Sequence, residues 1–111
     1  MANTYTNAKV DLTTTNITTL YTTPSDTRAI VKSILISNDA GSAATITLTL
    51  TNVAGAVFSL FNVKSIASNT AEQLLTEPLI LLESEILKVT ASDANELHVV
   101  ASILELNRND Q

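Results

Sequence analysis

Between residues 44 and 52 the chain reads ATITLTLTN, alternating threonine with isoleucine or leucine. Successive side chains on an extended strand point to opposite faces, so Ile46, Leu48 and Leu50 share one face. Thr45, Thr47, Thr49 and Thr51 share the other. The same idiom runs through NITTLYTTP at 16–24. Threonine suits a polar strand face because its β-branch favours extended backbone while its hydroxyl stays hydrated. Extended along the chain, this pattern predicts about eight strands, at 9–13, 17–22, 28–37, 44–51, 57–63, 73–76 running into 79–82, 86–91 and 97–106. Breaks fall at Pro24-Ser25-Asp26, at 38–41, at 52–55 and at 92–95, all rich in turn residues. Helix competes weakly. SNTAEQLLTEP at 68–78 could form one turn capped by Ser68 or Thr70, and Pro78 stops anything longer. The prediction is an all-β, two-sheet antiparallel sandwich, jelly-roll or Ig-like.

The ends break the pattern. MANTYTNA holds one large apolar residue, Tyr5, and NRNDQ holds none. Residues 1–8 and 107–111 are therefore expected as polar arms, free or ordered by a partner, around a single domain at 9–106. A length of 111 residues suits one domain of that kind.

Composition narrows the class. Without cysteine there are no disulfides and no thiolate-bound zinc. MANTYTNAKV lacks the basic segment and apolar run of a secretory signal, and LILL at 79–82 is far too short to span a bilayer. The expectation is a protein that stays where it is made or leaves inside a larger particle, with no membrane partner. Net charge is −5, and the six Lys and Arg residues are scattered in sequence, which argues against a nucleic-acid partner. Only 15% of residues are charged, so Thr, Ser and Asn must cover much of the surface. Such a surface loses water more cheaply than one of Lys and Glu, and hints at contacts with other protein.

Chemistry is sparse. His98 is the single histidine, with no G-x-S-x-G motif and no cysteine beside it to make a nucleophile. Glu83, Glu85, Asp93 and Glu96 could hold a cation, but their spacing matches no ligand motif, and solvated loop carboxylates are the plainer reading. Asn16-Ile17-Thr18 is a sequon without a secretion signal. Gly41 and Gly55 are too far apart to build a phosphate loop. No catalytic, cofactor or metal residue is assigned, and enzymatic activity is not expected.

Contact surface is easier to find. SILI at 33–36 and LILL at 79–82 are apolar on both faces, whereas a sandwich buries one face of each sheet. Either these segments switch sheets at a corner or another subunit covers them, and the low surface charge favours the subunit. Phe58 and Phe61, three apart, should face opposite sides, one in the core and one exposed. The interface candidates are Tyr5, Tyr21, Phe58, Phe61, Leu79 and Leu81.

Three longer segments carry a resemblance: TTLYTTPSDTRAIVKSILISN (18–38), ATITLTLTN (44–52) and LLTEPLILLESEILKVTASDANELHVVASILEL (74–106). In them the chain resembles a family of small virion structural proteins of tailed bacteriophages, especially marine ones. The closing turn often carries Gly-Asp in that family and reads Glu83-Ser84-Glu85 here. The resemblance implies a non-enzymatic β-sandwich subunit forming symmetric homo-oligomers, and the two-faced segments at 33–36 and 79–82 lead to the expectation of a trimer or another closed oligomer. It further implies a capsid decoration or cement role on the outer surface of the particle, against the major capsid protein or another virion protein. The missing cysteines suit assembly in the reducing host cytoplasm. The rival expectation is a carbohydrate- or receptor-binding module of a fibre or of a tail or neck appendage. For that site Tyr5, Tyr21 and the loop at 93–96 are the candidates.

Overall fold

A computed structural model describes residues 3–107. It contains nine strands: β1 (Asn3–Asp11), β2 (Thr18–Thr22), β3 (Thr27–Asn38), β4 (Ala44–Thr51), β5 (Val57–Ile66), β6 (Thr70–Gln73), β7 (Leu79–Leu81), β8 (Ile86–Ala91) and β9 (Leu97–Asn107). All pairings are antiparallel. They nest like one long hairpin folded over: β4 pairs β5, β3 pairs β6 and β7, β2 pairs β8, and β1 pairs β9. Rolling that hairpin up adds β9 to β3 and β8 to β4. The result is a jelly roll, with β1-β9-β3 and then β6 and β7 in one sheet and β2-β8-β4-β5 in the other. Below these are sheets A and B.

The core lies between the sheets. Sheet A contributes Ala29, Val31, Ile34, Ile36, Leu81, Val99, Ala101 and Ile103, and sheet B contributes Ile46, Leu48, Leu87 and Val89. Ile46 and Leu48 are sealed from solvent and Leu50 is half-buried against them, as the alternation predicts. Thr23, Thr27 and Asn38 are polar residues buried with it, and Asn38 bridges the two sheets. The buried Asn38 donates through Nδ2 to the carbonyls of Ser42 (3.0 Å) and Ile66 (3.1 Å), and its Oδ1 accepts from the Ala40 amide (3.0 Å). It ties the end of β3, in one sheet, to the end of β5, in the other.

Most boundaries differ from the sequence reading by a residue or more, and the larger differences have physical causes. The first strand begins at Asn3 instead of residue 9, so the described part of the expected arm is paired strand, Asn3 opposite Leu106 through Asp11 opposite His98. Backbone pairing holds a segment that has too little apolar surface to hold itself. Residues 1, 2 and 108–111 of the two expected arms lie outside the described residues, and Asn107 belongs to β9. No helix forms at 68–78, and the strand expected at 73–76 lies instead at Thr70–Gln73. Asn69 takes a positive φ of 56°, Thr70 Oγ1 donates to the Ala67 carbonyl, and β6 then pairs with β3. The pairing ends with a substitution: Gln73 Oε1 accepts from the Ile34 amide at 2.7 Å and the Leu74 amide donates to the Ile34 carbonyl, turning Leu74 inward. Finally, the fifth strand runs on to Ile66 through two register shifts, and these place both Leu60 and Phe61 against the core.

The turn between β4 and β5 shows why one glycine matters. Asn52 Oδ1 accepts from the Ala54 and Ala56 amides, and the Gly55 amide donates to the Asn52 carbonyl. Closing that turn puts Gly55 at φ 93°, a conformation that a Cβ disfavours.

Candidate subunit interface

Directly opposed residues of an antiparallel pair project to the same face. The registers therefore lay out the outer face of sheet A row by row. Tyr5 stands opposite Leu104, Leu104 opposite Ile30, and Ile30 opposite Ile80, an apolar row across four strands. A second row runs Lys9, Val100, Leu35, Gln73. Tyr5 is 77% exposed, Ile80 62%, Leu35 41% and Val100 39%, while Ile30 and Leu104 are half-covered by these neighbours. Cations flank the rows. Lys9 and Arg28 are exposed on this face, and Lys32, in the β3 register shift between Val31 and Ser33, lines a shallow hollow with Tyr5, Asn7 and Ser102.

The outer face of sheet B is chemically different. Thr45, Thr47, Thr49 and Thr51 lie half-buried along β4. Across from them stand Ser65 and Ser59 on β5 and Thr90 and Lys88 on β8. It is a face of hydroxyls, with Val57 exposed opposite Thr51 toward its β5 edge, while Phe58 stands opposite the inward Leu50 and is exposed at the rim of the inner face.

Of the six sequence candidates, the structure leaves two well exposed, Tyr5 and Phe58. Leu81 is sealed in the core opposite Ala29, and Leu79 packs against that core, so neither is free to meet a partner. The segment does present apolar surface, but at the alternate positions Ile80 and Leu82. Composition shows LILL to be two-faced without showing which pair turns inward; the register against β3 decides it. Phe61 is half-buried against the core and Phe58 exposed. They stand opposite Leu48 and Leu50, so the β5 register shifts turn both to the inner side and not to opposite faces as a spacing of three predicts. Tyr21 is occupied within its own chain. Its hydroxyl donates to Glu105 Oε2 at 2.5 Å, linking β2 of sheet B to β9 of sheet A. Burial, then the bond to Glu105 and its negative charge, push the Tyr21 phenol far above its ordinary range. Ile30, Leu35, Ile80, Val100 and Leu104 were missed as candidates; two-faced apolar strands were the available signal for the first three.

The polar candidates serve the turns. His98 lies on the outer face of sheet A with Nδ1 3.1 Å from Asp11 Oδ1 and Nε2 3.4 Å from Asp39 Oδ2, joining β1, β9 and the loop after β3. Among the described residues no hydroxyl nucleophile bonds to it. Glu83 Oε2 accepts from the Asp26 amide at 2.7 Å, Glu85 Oε1 from the Leu82 amide at 2.8 Å, and Glu96 Oε1 from Ser42 Oγ at 3.0 Å. These carboxylates close loops in which Asp26 and Ser84 hold positive φ. Among the described residues, no group of three or more His, Asp or Glu side chains is placed to hold a metal ion. The saccharide site of the rival expectation is also scattered: Tyr5 is mid-β1, Tyr21 is bonded to Glu105, and the loop at 93–96 packs by Leu12 at one end of the sandwich.

No protein-family model matches the sequence, and no curated protein matches it either. In fold the chain is similar to one in the structure of the infectious bursal disease virus Gx strain, with a TM-score of 0.54 and 8% identity. That superposition covers 97% of this chain and 34% of the other, so this chain spans about a third of its length. Weaker similarity is found to the extra small virus VLP of the giant freshwater prawn Macrobrachium rosenbergii (TM-score 0.46, 15% identity, 94% of this chain and 77% of that one). The infectious bursal disease virus Gt strain gives a TM-score of 0.45 at 9% identity, over 100% of this chain and 32% of that one. At such identities the likeness is one of fold, and the fold shared with the Gx-strain chain spans nearly all of this one.

Proposed function

We propose that this chain is a structural subunit of a virus particle that works by assembling with copies of itself, not by catalysis. The observation that carries this reading is the outer face of sheet A. A sheet that already has a core on one side bears a second apolar surface on the other, running from Tyr5 to Ile80 with Leu35 and Val100 beside it. Contiguous exposed apolar surface of this kind marks a protein contact. The flanking cations limit its geometry. Packing the face on itself about a two-fold would gather Lys9, Arg28 and Lys32 of both copies into one contact, so a head-to-tail contact that closes into a ring suits it better. A trimer is the simplest such ring.

The particle and the place on it rest on likeness. The sequence resembles small virion proteins of tailed bacteriophages, and the fold is that of a chain from a virus. The finer reading is a capsid decoration or cement protein on the outer surface of the shell, bridging subunits of the major capsid protein and assembled in the host cytoplasm. Native mass spectrometry at micromolar concentration tests self-assembly. Three copies, or a multiple of three, are expected, and a lone monomer contradicts the reading. Co-sedimentation with shells of the encoding phage that lack this protein tests decoration. Saturable binding is expected, and no binding contradicts it.

A further inference from the structure

Each sheet of an open sandwich has two edges, and an unpaired edge can recruit another strand unless it is blunted. In this molecule the edges are treated unequally. On sheet B, β5 shifts register twice and holds Val63 at φ 52°, rare for a β-branched residue. The other edge of sheet B, β2, has five residues and a register shift between Thr19 and Tyr21. On sheet A, β6 and β7 have four and three residues, and Pro78 precedes β7. The remaining edge, β1, has nine residues in unbroken register with β9. Its only charges, Lys9 and Asp11, are at its C-terminal end, and Thr4, Tyr5 and Thr6 are strong strand formers.

The exposed backbone groups can be named. Leu12 stands in line opposite Leu97 and donates its amide to the Leu97 carbonyl. Hydrogen-bonded pairs alternate along an antiparallel ladder, so the even residues of β1 bond to β9. The odd residues Asn3, Tyr5, Asn7 and Lys9 turn their amides and carbonyls to the open side. No backbone group among the described residues pairs with them there.

We propose that β1 of one copy pairs antiparallel with β1 of a second copy, about a two-fold axis normal to the sheet and passing at Asn7. Since the other edges are bulged or short, the partner of β1 is β1 itself, and identical edges meet only about a two-fold. Centring on Asn7 overlaps residues 3–11 of both copies completely. It sets Tyr5 opposite Lys9 and Asn3 opposite Asp11 of the second copy, so no like charges face each other. The outer faces stay on one side, making the two apolar surfaces continuous. This inference rests on the self-assembly reading but not on the virus particle, and it adds an even copy number: a ring of three joined this way becomes six.

The absence of native cysteine makes the test clean. Opposed residues of a ladder lie within disulfide reach. Under mild oxidation Asn7→Cys is expected to give a covalent dimer, while Tyr5→Cys, set far from its own copy in this register, and Val63→Cys on the β5 edge stay uncrosslinked. Asn7→Pro removes an outward amide that β9 does not use, and Asn7→Lys places two cations at the axis. Each is expected to weaken the β1 contact at least tenfold by sedimentation, with an unchanged far-UV spectrum. Oligomers that persist in both variants, with no Asn7→Cys dimer, would overturn the β1 contact and leave self-assembly through the sheet face standing. Monomers throughout would overturn both.

Discussion

The two sheets bury similar inner faces and present opposite outer ones. Sheet B shows solvent a ladder of threonine and serine hydroxyls, whereas sheet A shows Tyr5, Ile30, Leu35, Ile80, Val100 and Leu104. Both outer faces are made of strand formers, so secondary structure does not need the difference. Threonine in place of Leu35 or Ile80 would keep the strands and wet the face. What the contrast teaches is that sheet A has an apolar outer face on which a second layer could pack, as proposed, and sheet B a hydroxyl face that water can cover.

The contrast can be broken from the inside first. Leu48→Ala removes a sealed side chain beneath the hydroxyl face and should cost about 2–5 kcal/mol. Thr47→Ala, one residue along β4, should cost less than about 1 kcal/mol even though the Val63 amide donates to its hydroxyl at 3.1 Å. Urea melts of the two variants measure this, and equal losses would mean that the β4 register is wrong. A second test moves to the outer faces. Leu35→Lys or Ile80→Lys should disperse the oligomer at micromolar concentration while shifting the melt of the domain by no more than about 0.5 kcal/mol. Thr49→Lys on sheet B should leave the oligomer intact.

Smaller effects concern the seams between sheets. Tyr21→Phe deletes the bond to Glu105 and should cost about 1 kcal/mol or somewhat less, since the pair is only half-buried. The sign with pH follows from the raised phenol pKa. Its stabilisation is complete below the ordinary value of 10.0 and is lost as pH climbs above it toward the folded value. Wild type should therefore lose stability above that pH, and Tyr21→Phe should lose less. The smallest change is a gain. Thr23 is buried with its hydroxyl unpaired, so Thr23→Val should raise stability by up to about 1 kcal/mol.

Much of the fold was legible because period-two alternation is local. Residues 44–51 and 86–91 match their strands end to end. What escaped was set by partners distant in sequence. β1 extends to Asn3 because β9 offers a ladder; Thr4, Tyr5 and Thr6 favour a strand, but MANTYTNA has too little apolar surface to announce one without that partner. In LILL, the choice of Leu81 over Ile80 for the core belongs to the register with Ala29 and Ile30. Tyr21 reads as an exposed aromatic until folding brings up Glu105, 84 residues away. The apolar outer face of sheet A was visible as a surplus of apolar residues, but not as a face.

Hydroxyl-radical footprinting tests the account most directly, comparing the wild-type oligomer with the dispersed Ile80→Lys variant. Tyr5, Leu35 and Val100 should be oxidised several-fold more slowly in the oligomer. Val53 and Val57, exposed at the β4–β5 turn and the β5 edge, should react equally in both. Protection of Val53 and Val57 with Leu35 and Val100 left reactive would contradict the assignment of sheet A as the buried face.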